Sequence, residues 1–152
     1  EKKHLVVTEA HCFNELPVMV GNGFGAVVLS RDEWVVLQVE PWDRRWKAIK
    51  VHKGTVAEGT PIAALGYAMT QAVPTITVGV VANSRIADQI WLNIELIAGQ
   101  SGGAIVDQRG RLITLVRMVF RDLPGSPNAL GSSGDPLALQ RLISEVRQQE
   151  SK

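Results

Sequence analysis

The chain has 152 residues and a formal net charge of +1, from 16 lysine and arginine residues against 15 aspartate and glutamate residues. Because the charges are scattered and nearly balanced, neither nucleic acid nor a membrane surface is favoured as a partner. No apolar run approaches the roughly 20 residues of a membrane-spanning helix, so we expect a soluble chain without a membrane span. A chain of this length buries about two thirds of its surface on folding, which is enough for the core of a single compact domain or of a tight pair of small barrels.

Short apolar segments rich in valine and isoleucine recur along the chain between glycine, proline and asparagine residues. This pattern is typical of an all-β protein, a sandwich or a barrel. The first segment ends in Ala10 and His11, as in a buried strand that delivers its last side chain to a cleft. Later strands are predicted at residues 18–20, 26–29, 35–39, 49–51, 62–65, 76–81, 90–94, 105–106 and 112–120.

The end of the chain has a different pattern. Residues 123–128 are rich in glycine, proline and serine and predict a loop, which precedes Gly-Ser-Ser-Gly at residues 131–134. Asp135 can then cap a terminal helix, and Pro136 can occupy its first turn. The helix would carry one apolar stripe, formed by Leu139, Leu142, Ile143 and Val146.

A glycine-rich pentapeptide, Gly-Gln-Ser-Gly-Gly, occupies residues 99–103, directly before a predicted hairpin. Glycine permits positive φ and a close approach of the backbone to a ligand. The N–H groups of Gly99 and Ser101 could therefore point at one developing negative oxygen, as in an oxyanion hole. An ordinary surface turn has a similar composition, so the neighbouring segments must decide.

A serine hydroxyl becomes a good nucleophile when a base takes its proton and a carboxylate orients that base. The chain contains three histidines. His4 and His52 each adjoin a lysine, and we expect both to face solvent. His11, at the end of its β-branched run, is the candidate base.

These segments resemble those of the trypsin-like serine peptidases. Thr-Glu-Ala-His-Cys at residues 8–12 resembles the family's Thr-Ala-Ala-His-Cys at the catalytic histidine, and residues 99–103 resemble its Gly-Asp-Ser-Gly-Gly. The strands at residues 33–39, 59–67 and 75–81 are similar to further family strands. These motifs are most similar to those of the HtrA-type and glutamyl-endopeptidase-like branch of the family.

The resemblance implies a chymotrypsin-like double β-barrel, with a first barrel at about residues 1–55, a second at about 56–134 and a C-terminal α-helix at 135–149. The family places two strands before its histidine strand, whereas ten residues precede His11 here. We therefore expect an incomplete first barrel. The resemblance also implies a serine endopeptidase, with Ser101 as nucleophile, His11 as general base and the amides of Gly99 and Ser101 as oxyanion hole.

The third member of the triad falls on Glu33 when the strand is aligned residue by residue, whereas the chemically expected aspartate is its neighbour Asp32. Adjacent side chains of a strand point to opposite faces, so only one of them can meet His11 unless the backbone bulges. Both stay candidates, beside the alternative that they form a solvated acidic turn.

A second register is conceivable, because residues 23–36 also resemble the opening hairpin of HtrA-type proteins. The histidine would then fall near Glu40, where there is none, and the protein would be a pseudopeptidase. Too few residues would remain before Gly59 for the family's middle strands, so we prefer His11.

Substrate preference has two interpretations. Glu95, six residues before Ser101, lies where the trypsin branch keeps an aspartate that attracts basic side chains. Thr114 and Met118 replace residues that are small in the family, which favours a shallow pocket for small or aliphatic side chains.

The expected partner is a protein or peptide substrate in extended conformation. The competing function is a catalytically inactive binding module that holds an extended segment by strand addition. No metal-ligand spacing and no phosphate-binding loop occurs, so we expect neither cofactor nor metal. Cys12, the single cysteine, is expected to be a small buried hydrophobic residue, with an unpaired remnant of a family disulfide as the alternative that the resemblance implies. The family resemblance favours a secreted or periplasmic location.

Overall fold

The computed structural model describes residues 4–12, 18–21, 23–31, 33–69, 71–86, 89–120 and 130–149, without the side chains of residues 18, 84–86, 118–120 and 130–133. The chain divides into two units. The first comprises Glu1–Ala48 with Leu142–Lys152, and the second comprises Ile49–Arg141.

The first unit contains an antiparallel sheet of four strands in the order β1-β4-β3-β2. The strands are β1 (Leu5–Glu9), β2 (Val18–Val20), β3 (Gly23–Arg31) and β4 (Trp34–Glu40). β4 lies inside the sheet, and its residues 34–37 are all buried, as a run of successive apolar residues predicts. The described sheet is open, in agreement with the expected incomplete first barrel.

The core of the first unit forms on one face of β4. Val35, Leu37 and Val39 alternate along the strand and are buried, because successive side chains of a strand point to opposite faces. Partly buried side chains from β1, the turn that follows it, β2 and the segment after β4 pack against them, namely Val6, Ala10, Val20, Trp42 and Trp46.

The second unit contains a closed barrel of six strands in the order β10-β7-β6-β5-β8-β9. The strands are β5 (Pro61–Tyr67), β6 (Pro74–Ile86), β7 (Gln89–Ile94), β8 (Ala104–Asp107), β9 (Leu112–Phe120) and β10 (Leu130–Gly134). Inward side chains from β5, β6, β7, β8 and β9, and from Val56 and Leu96, fill the barrel. The apolar segments of the sequence therefore became strands where valine and isoleucine could point into one interior.

One strand prediction for this unit is wrong, and one strand was not predicted. The loop predicted at residues 123–128 lies outside the described residues. Residues 130–134 form β10, which pairs with both β7 and β9 and so closes the barrel. Glycine and serine carry little strand propensity, and the pairing supplied by the two flanking strands decides instead. Residues 49–51, predicted as a strand, contribute only a bridge between Val51 and Leu112.

The terminal helix α1 spans Pro136–Gln149 and begins as the sequence predicts. The carboxylate of Asp135 accepts hydrogen bonds from the N–H groups of Leu137 at 2.9 Å and Ala138 at 3.2 Å, which makes it the N-cap. Three members of the predicted stripe are buried, Leu139, Leu142 and Val146. Among the described residues, no helix has the length and apolar character needed to cross a membrane.

The expectation that His52 faces solvent is wrong. Its Nδ1 lies 3.0 Å from Oδ2 of Asp107, and its side chain is only 16% exposed. Asp107 also accepts hydrogen bonds from the backbone N–H groups of Arg109 and Arg111 and from Nε of Arg111. Burial by itself would raise the pKa of Asp107, but these donors outweigh it and hold that pKa well below its usual range.

We expect Asp107→Asn to destabilise the fold by about 2 kcal/mol at neutral pH, because hydrogen bonds to a charged acceptor are among the stronger ones. Since folding lowers this pKa, the stabilisation is complete above the unfolded value of about 3.9 and is lost as the pH falls towards the folded value. We would measure the melting temperatures of the unmodified protein and of Asp107→Asn between neutral pH and pH 2. The two melting temperatures should converge as the pH falls.

Asp43 provides the matched control. Hydrogen bonds from Arg45 lower its pKa to about 2, but Arg45 is 83% exposed. Solvent screens such a pair, so Asp43→Asn should leave the melting temperature almost unchanged. Asp107 with its partners His52, Arg109 and Arg111 forms the Asp107 cluster. Equal losses of melting temperature from the two substitutions would contradict a structural role for this cluster.

Candidate active site

His11 lies on a short 3-10 turn, Ala10–Cys12, that directly follows β1. The backbone N–H of Ala10 donates to the carbonyl oxygen of Glu33 at 2.6 Å, which fastens the turn beside the start of β4. The imidazole is 53% exposed. A side chain in this position is held at its backbone and is open to a substrate or to another group.

Glu9, the last residue of β1, is the carboxylate that the structure places beside His11. Its side chain is fully buried, and its Oε2 lies 3.9 Å from Nδ1 of His11. Its Oε1 accepts a hydrogen bond from Nε1 of Trp34 at 3.2 Å. Trp34 is the residue directly opposite Glu9 in the pairing of β1 with β4.

Glu9 is not among the site residues that the sequence predicts. In the resembling motif, it is only a departure from the family's alanine. A signal was nevertheless present, since a glutamate at the end of a predicted buried strand requires a partner.

The two predicted carboxylates have different outcomes. Asp32 lies outside the described residues. Glu33 is half-buried in the turn directly before β4, where its carbonyl oxygen accepts from the backbone N–H of Ala10. The assignment of either side chain to the triad stays a prediction.

Cys12 is exposed, so the expectation that it is a buried hydrophobic residue is wrong. The physical reason is that β1 ends at Glu9, which leaves Cys12 on the turn and not in the strand. Partial desolvation of its sulfur and, next, the negative charge of Glu9 raise the pKa of the Cys12 thiol.

The glycine-rich loop at residues 99–103 has the backbone conformation that its sequence suggests. Gly99 has φ +97° and Gly102 has φ +77°, a region that residues with a side chain rarely adopt. A Cβ added to Gly99 would lie 2.5 Å from the backbone nitrogen of Met69. The loop therefore packs so closely against residues 68–69 that only glycine fits there.

Gln100 anchors the same loop from inside the barrel unit. Its side chain is buried, and its Oε1 accepts from the backbone N–H of Ile97 at 2.8 Å. Its own N–H donates to the carbonyl oxygen of Ile97 at 3.1 Å. These two bonds close a tight turn that fixes the backbone just before Ser101.

The amide groups of the loop fall into two sets. The N–H of Gln100 donates to Ile97, that of Gly102 to Val116 and that of Gly103 to Gln100. For the N–H groups of Gly99 and Ser101, no acceptor is found within the described part of the second unit. Ser101 itself is half-buried.

The residues predicted to line a substrate pocket are distributed as follows. Glu95 is exposed just after β7. Thr114 is fully buried in β9, and its hydroxyl donates to the carbonyl oxygen of Gly134 at 3.0 Å. Met118 lies further along β9, opposite Ser132 of β10. The pocket assignment of all three stays a prediction.

The sequence-predicted residues thus belong to different units. His11 and Glu33 lie in the first, whereas Gly99, Ser101, Glu95, Thr114 and Met118 lie in the second. Within the described ranges, no group of three or more histidine, cysteine, aspartate or glutamate residues could hold a metal ion.

Two curled antiparallel sheets, the second closed into a barrel, and a single terminal helix define a chymotrypsin-like fold, the fold of the trypsin-like serine peptidases. The fold class inferred from the resemblance is confirmed. No family model matches the sequence. No curated protein matches it.

Two solved structures show the similarity. A serine endoprotease from Yersinia pestis aligns with a TM-score of 0.75 and 22% identity, over 97% of this chain and 55% of that chain. A serine-to-alanine mutant of Rv3671c from M. tuberculosis H37Rv, in an inactive form, aligns with a TM-score of 0.69 and 17% identity, over 95% of this chain and 77% of that chain. Because both identities are below 25%, the similarity establishes the fold alone. This chain spans about half the length of the Yersinia chain.

Proposed function

We propose that the protein is a serine endopeptidase of the trypsin-like kind, with Ser101 as nucleophile and His11 as general base. The observation that carries the proposal is the hydrogen bonding of residues 99–103. Three of the five amides are used within the unit, and the remaining two, on Gly99 and Ser101, are the pair that an oxyanion hole would use. The fold shared with a serine endoprotease adds independent support.

In this mechanism, Ser101 Oγ attacks the carbonyl carbon of a peptide bond while His11 takes the hydroxyl proton. The N–H groups of Gly99 and Ser101 donate to the oxygen that becomes negative. His11 then returns the proton to the leaving amine, and an acyl-enzyme forms. Water, activated by the same imidazole, releases the acyl group and restores Ser101.

The substrate would bind as an extended segment, since an extended peptide can add as a strand to a sheet edge through main-chain hydrogen bonds. Glu95 is exposed and could attract a basic side chain. Thr114 favours a pocket for small or aliphatic side chains. Its buried hydroxyl already donates to the carbonyl oxygen of Gly134, so it is not free to bind a polar side chain of the substrate. Cleavage of a mixture of peptides would decide between basic and small aliphatic preference.

The test of the proposed function is labelling with a fluorophosphonate, which reacts covalently with an activated serine. We expect the native protein to be labelled, the modified residue to be Ser101 by mass spectrometry, and heat-denatured protein to be unlabelled. Ser101→Ala should remove the label. Ser30→Ala, on the exposed surface of β3, is the matched control and should retain it.

One observation favours the second candidate function, a catalytically inactive peptide-binding module. The 3.9 Å between His11 and Glu9 is longer than a hydrogen bond, and the imidazole is half exposed. Folded protein that stays unlabelled but binds an extended peptide would support this module and overturn the peptidase. Catalytic hydrogen bonds are often long before substrate binds, so we place the peptidase first.

A further inference from the structure

Glu9 is a carboxylate in surroundings that remove it from water. Its side chain has no exposed surface, although a buried charge is unfavourable unless it is paired or hydrogen-bonded. Trp34 Nε1 donates to one of its oxygens, and the imidazole of His11 lies within ion-pair distance of the other. The two oxygens therefore have different partners, a fixed indole and a titratable ring.

We propose that Glu9, two residues before His11 on the same segment, is the carboxylate that positions the His11 imidazole, in place of Asp32 or Glu33. This inference rests on the proposed function, in which His11 is the general base. It makes Glu9 a positioning residue, because the carboxylate would act through His11 and would not touch the substrate.

The distance between Nδ1 and Oε2 is compatible with this role. Glu9 is held by burial and by Trp34, whereas the His11 ring is 53% exposed on a short turn. A modest rotation of the ring would shorten 3.9 Å to the length of a hydrogen bond, as happens at catalytic sites when substrate binds.

The chemical consequence concerns the tautomer of His11. When Oε2 accepts the proton of Nδ1, neutral imidazole keeps Nε2 unprotonated and able to take a proton from a serine. The ring nitrogen that faces Glu9 is Nδ1, which is the nitrogen this arrangement requires.

Trp34 makes the inference testable, because an indole N–H can only donate. In Glu9→Gln, the amide oxygen should stay at Trp34, so the amide NH₂ would occupy the position of Oε2. That NH₂ would donate to Nδ1 and force the proton of neutral His11 onto Nε2. An isosteric substitution would thereby select the unproductive tautomer.

The first measurement is the tautomer of His11 by ¹⁵N NMR at alkaline pH, which does not depend on catalysis. We expect the proton on Nδ1 in the unmodified protein and on Nε2 in Glu9→Gln. In the double variant Trp34→Phe with Glu9→Gln, the amide is free to turn its oxygen to His11, and the proton should return to Nδ1. A proton on Nε2 in the unmodified protein overturns the inference, whether or not any variant folds.

The second measurement is kcat. Glu9→Gln should lower kcat by about 10³–10⁴-fold with little change in KM, as the wrong tautomer does in a serine triad. Adding Trp34→Phe to Glu9→Gln should raise kcat again by about tenfold. A purely structural glutamate would not show this coupling. Glu58→Gln, an exposed substitution in the second unit, is the control and should leave kcat unchanged.

The possible outcomes separate the two proposals. If the protein is not labelled by fluorophosphonate but His11 shows the expected tautomer change, the peptidase fails and the positioning by Glu9 stands. If the protein is active and Glu33→Gln or Asp32→Asn lowers kcat more than Glu9→Gln does, the peptidase stands and the Glu9 inference is overturned.

Discussion

Ser101→Ala and His11→Ala should each lower kcat for peptide hydrolysis by about 10⁴–10⁶-fold, and the double variant should lose no more than either single one. The physical reason is that the hydroxyl is a poor nucleophile without the base, and the base has nothing to activate without the hydroxyl. The residual rate would come from substrate binding and from the amides of Gly99 and Ser101. Steady-state kinetics on a chromogenic peptide, with active-site titration, measure all three losses.

The control for the histidine is His52→Ala. His52 also pairs with a carboxylate, but it belongs to the Asp107 cluster and not to the candidate site. This variant should lose stability and keep its activity per folded molecule. Losses that multiply in the double variant would show that Ser101 and His11 act independently, which the proposed mechanism does not permit.

Gly99→Ala should damage both the stability of the barrel unit and its activity. An alanine would have to adopt φ +97° and would place its Cβ 2.5 Å from Met69 N and 3.0 Å from the carbonyl carbon of Ala68. Both neighbours are backbone atoms, so the loop must shift. We expect a loss of about 3 kcal/mol in unfolding free energy and about 10²–10³-fold in kcat, because the Gly99 amide moves with the loop.

Gly54→Ala separates the strain of positive φ from the steric clash. Gly54 has φ +86°, but a Cβ there meets no described atom within 4 Å. This variant should lose only the conformational term, about 1–2 kcal/mol, and retain its activity. Urea denaturation and fluorophosphonate labelling rates of the two variants provide the comparison. Equal stability and equal labelling rates of the two variants would mean that the loop at residues 99–103 tolerates a side chain at Gly99. The position of this loop would then not be critical for activity.

Secondary structure could be predicted from the sequence where the local signal and the final environment agree. Strand β9 was predicted with the bounds that the structure has, since its apolar run is buried along most of its length. The helix start at Asp135 was also predicted, because an N-cap depends on one side chain and the first turn that follows it.

Strand β10 could not be predicted, because its Leu-Gly-Ser-Ser-Gly sequence has no periodic apolar signal. Its conformation depends on β7 and β9, two strands that are distant in sequence and present unpaired backbone groups on either side. Backbone pairing with remote partners outweighs the low propensity of glycine and serine.

The environments of single polar side chains were the least predictable part of the candidate site. Lysine neighbours suggested an exposed His52, yet Asp107, from β8, lies beside its ring and helps to bury it. The motif suggested a buried Cys12, yet the chain leaves the strand three residues earlier. The motif marks Glu9 only as a departure from alanine, yet in the structure Trp34 and His11 lie beside its carboxylate.

The sequence by itself determined the class of fold, the glycine loop around Ser101 and the histidine that follows the first strand. These depend on periodicity, on glycine conformation and on short motifs, all of which are local properties of the chain. Only the tertiary structure decided which carboxylate lies beside His11, how the barrel closes and which loop amides have acceptors in their own unit. Barrel closure and the burial of Glu9 beside Trp34 depend on contacts between residues far apart in sequence, whose packing and hydrogen bonds exist only once the strands have paired.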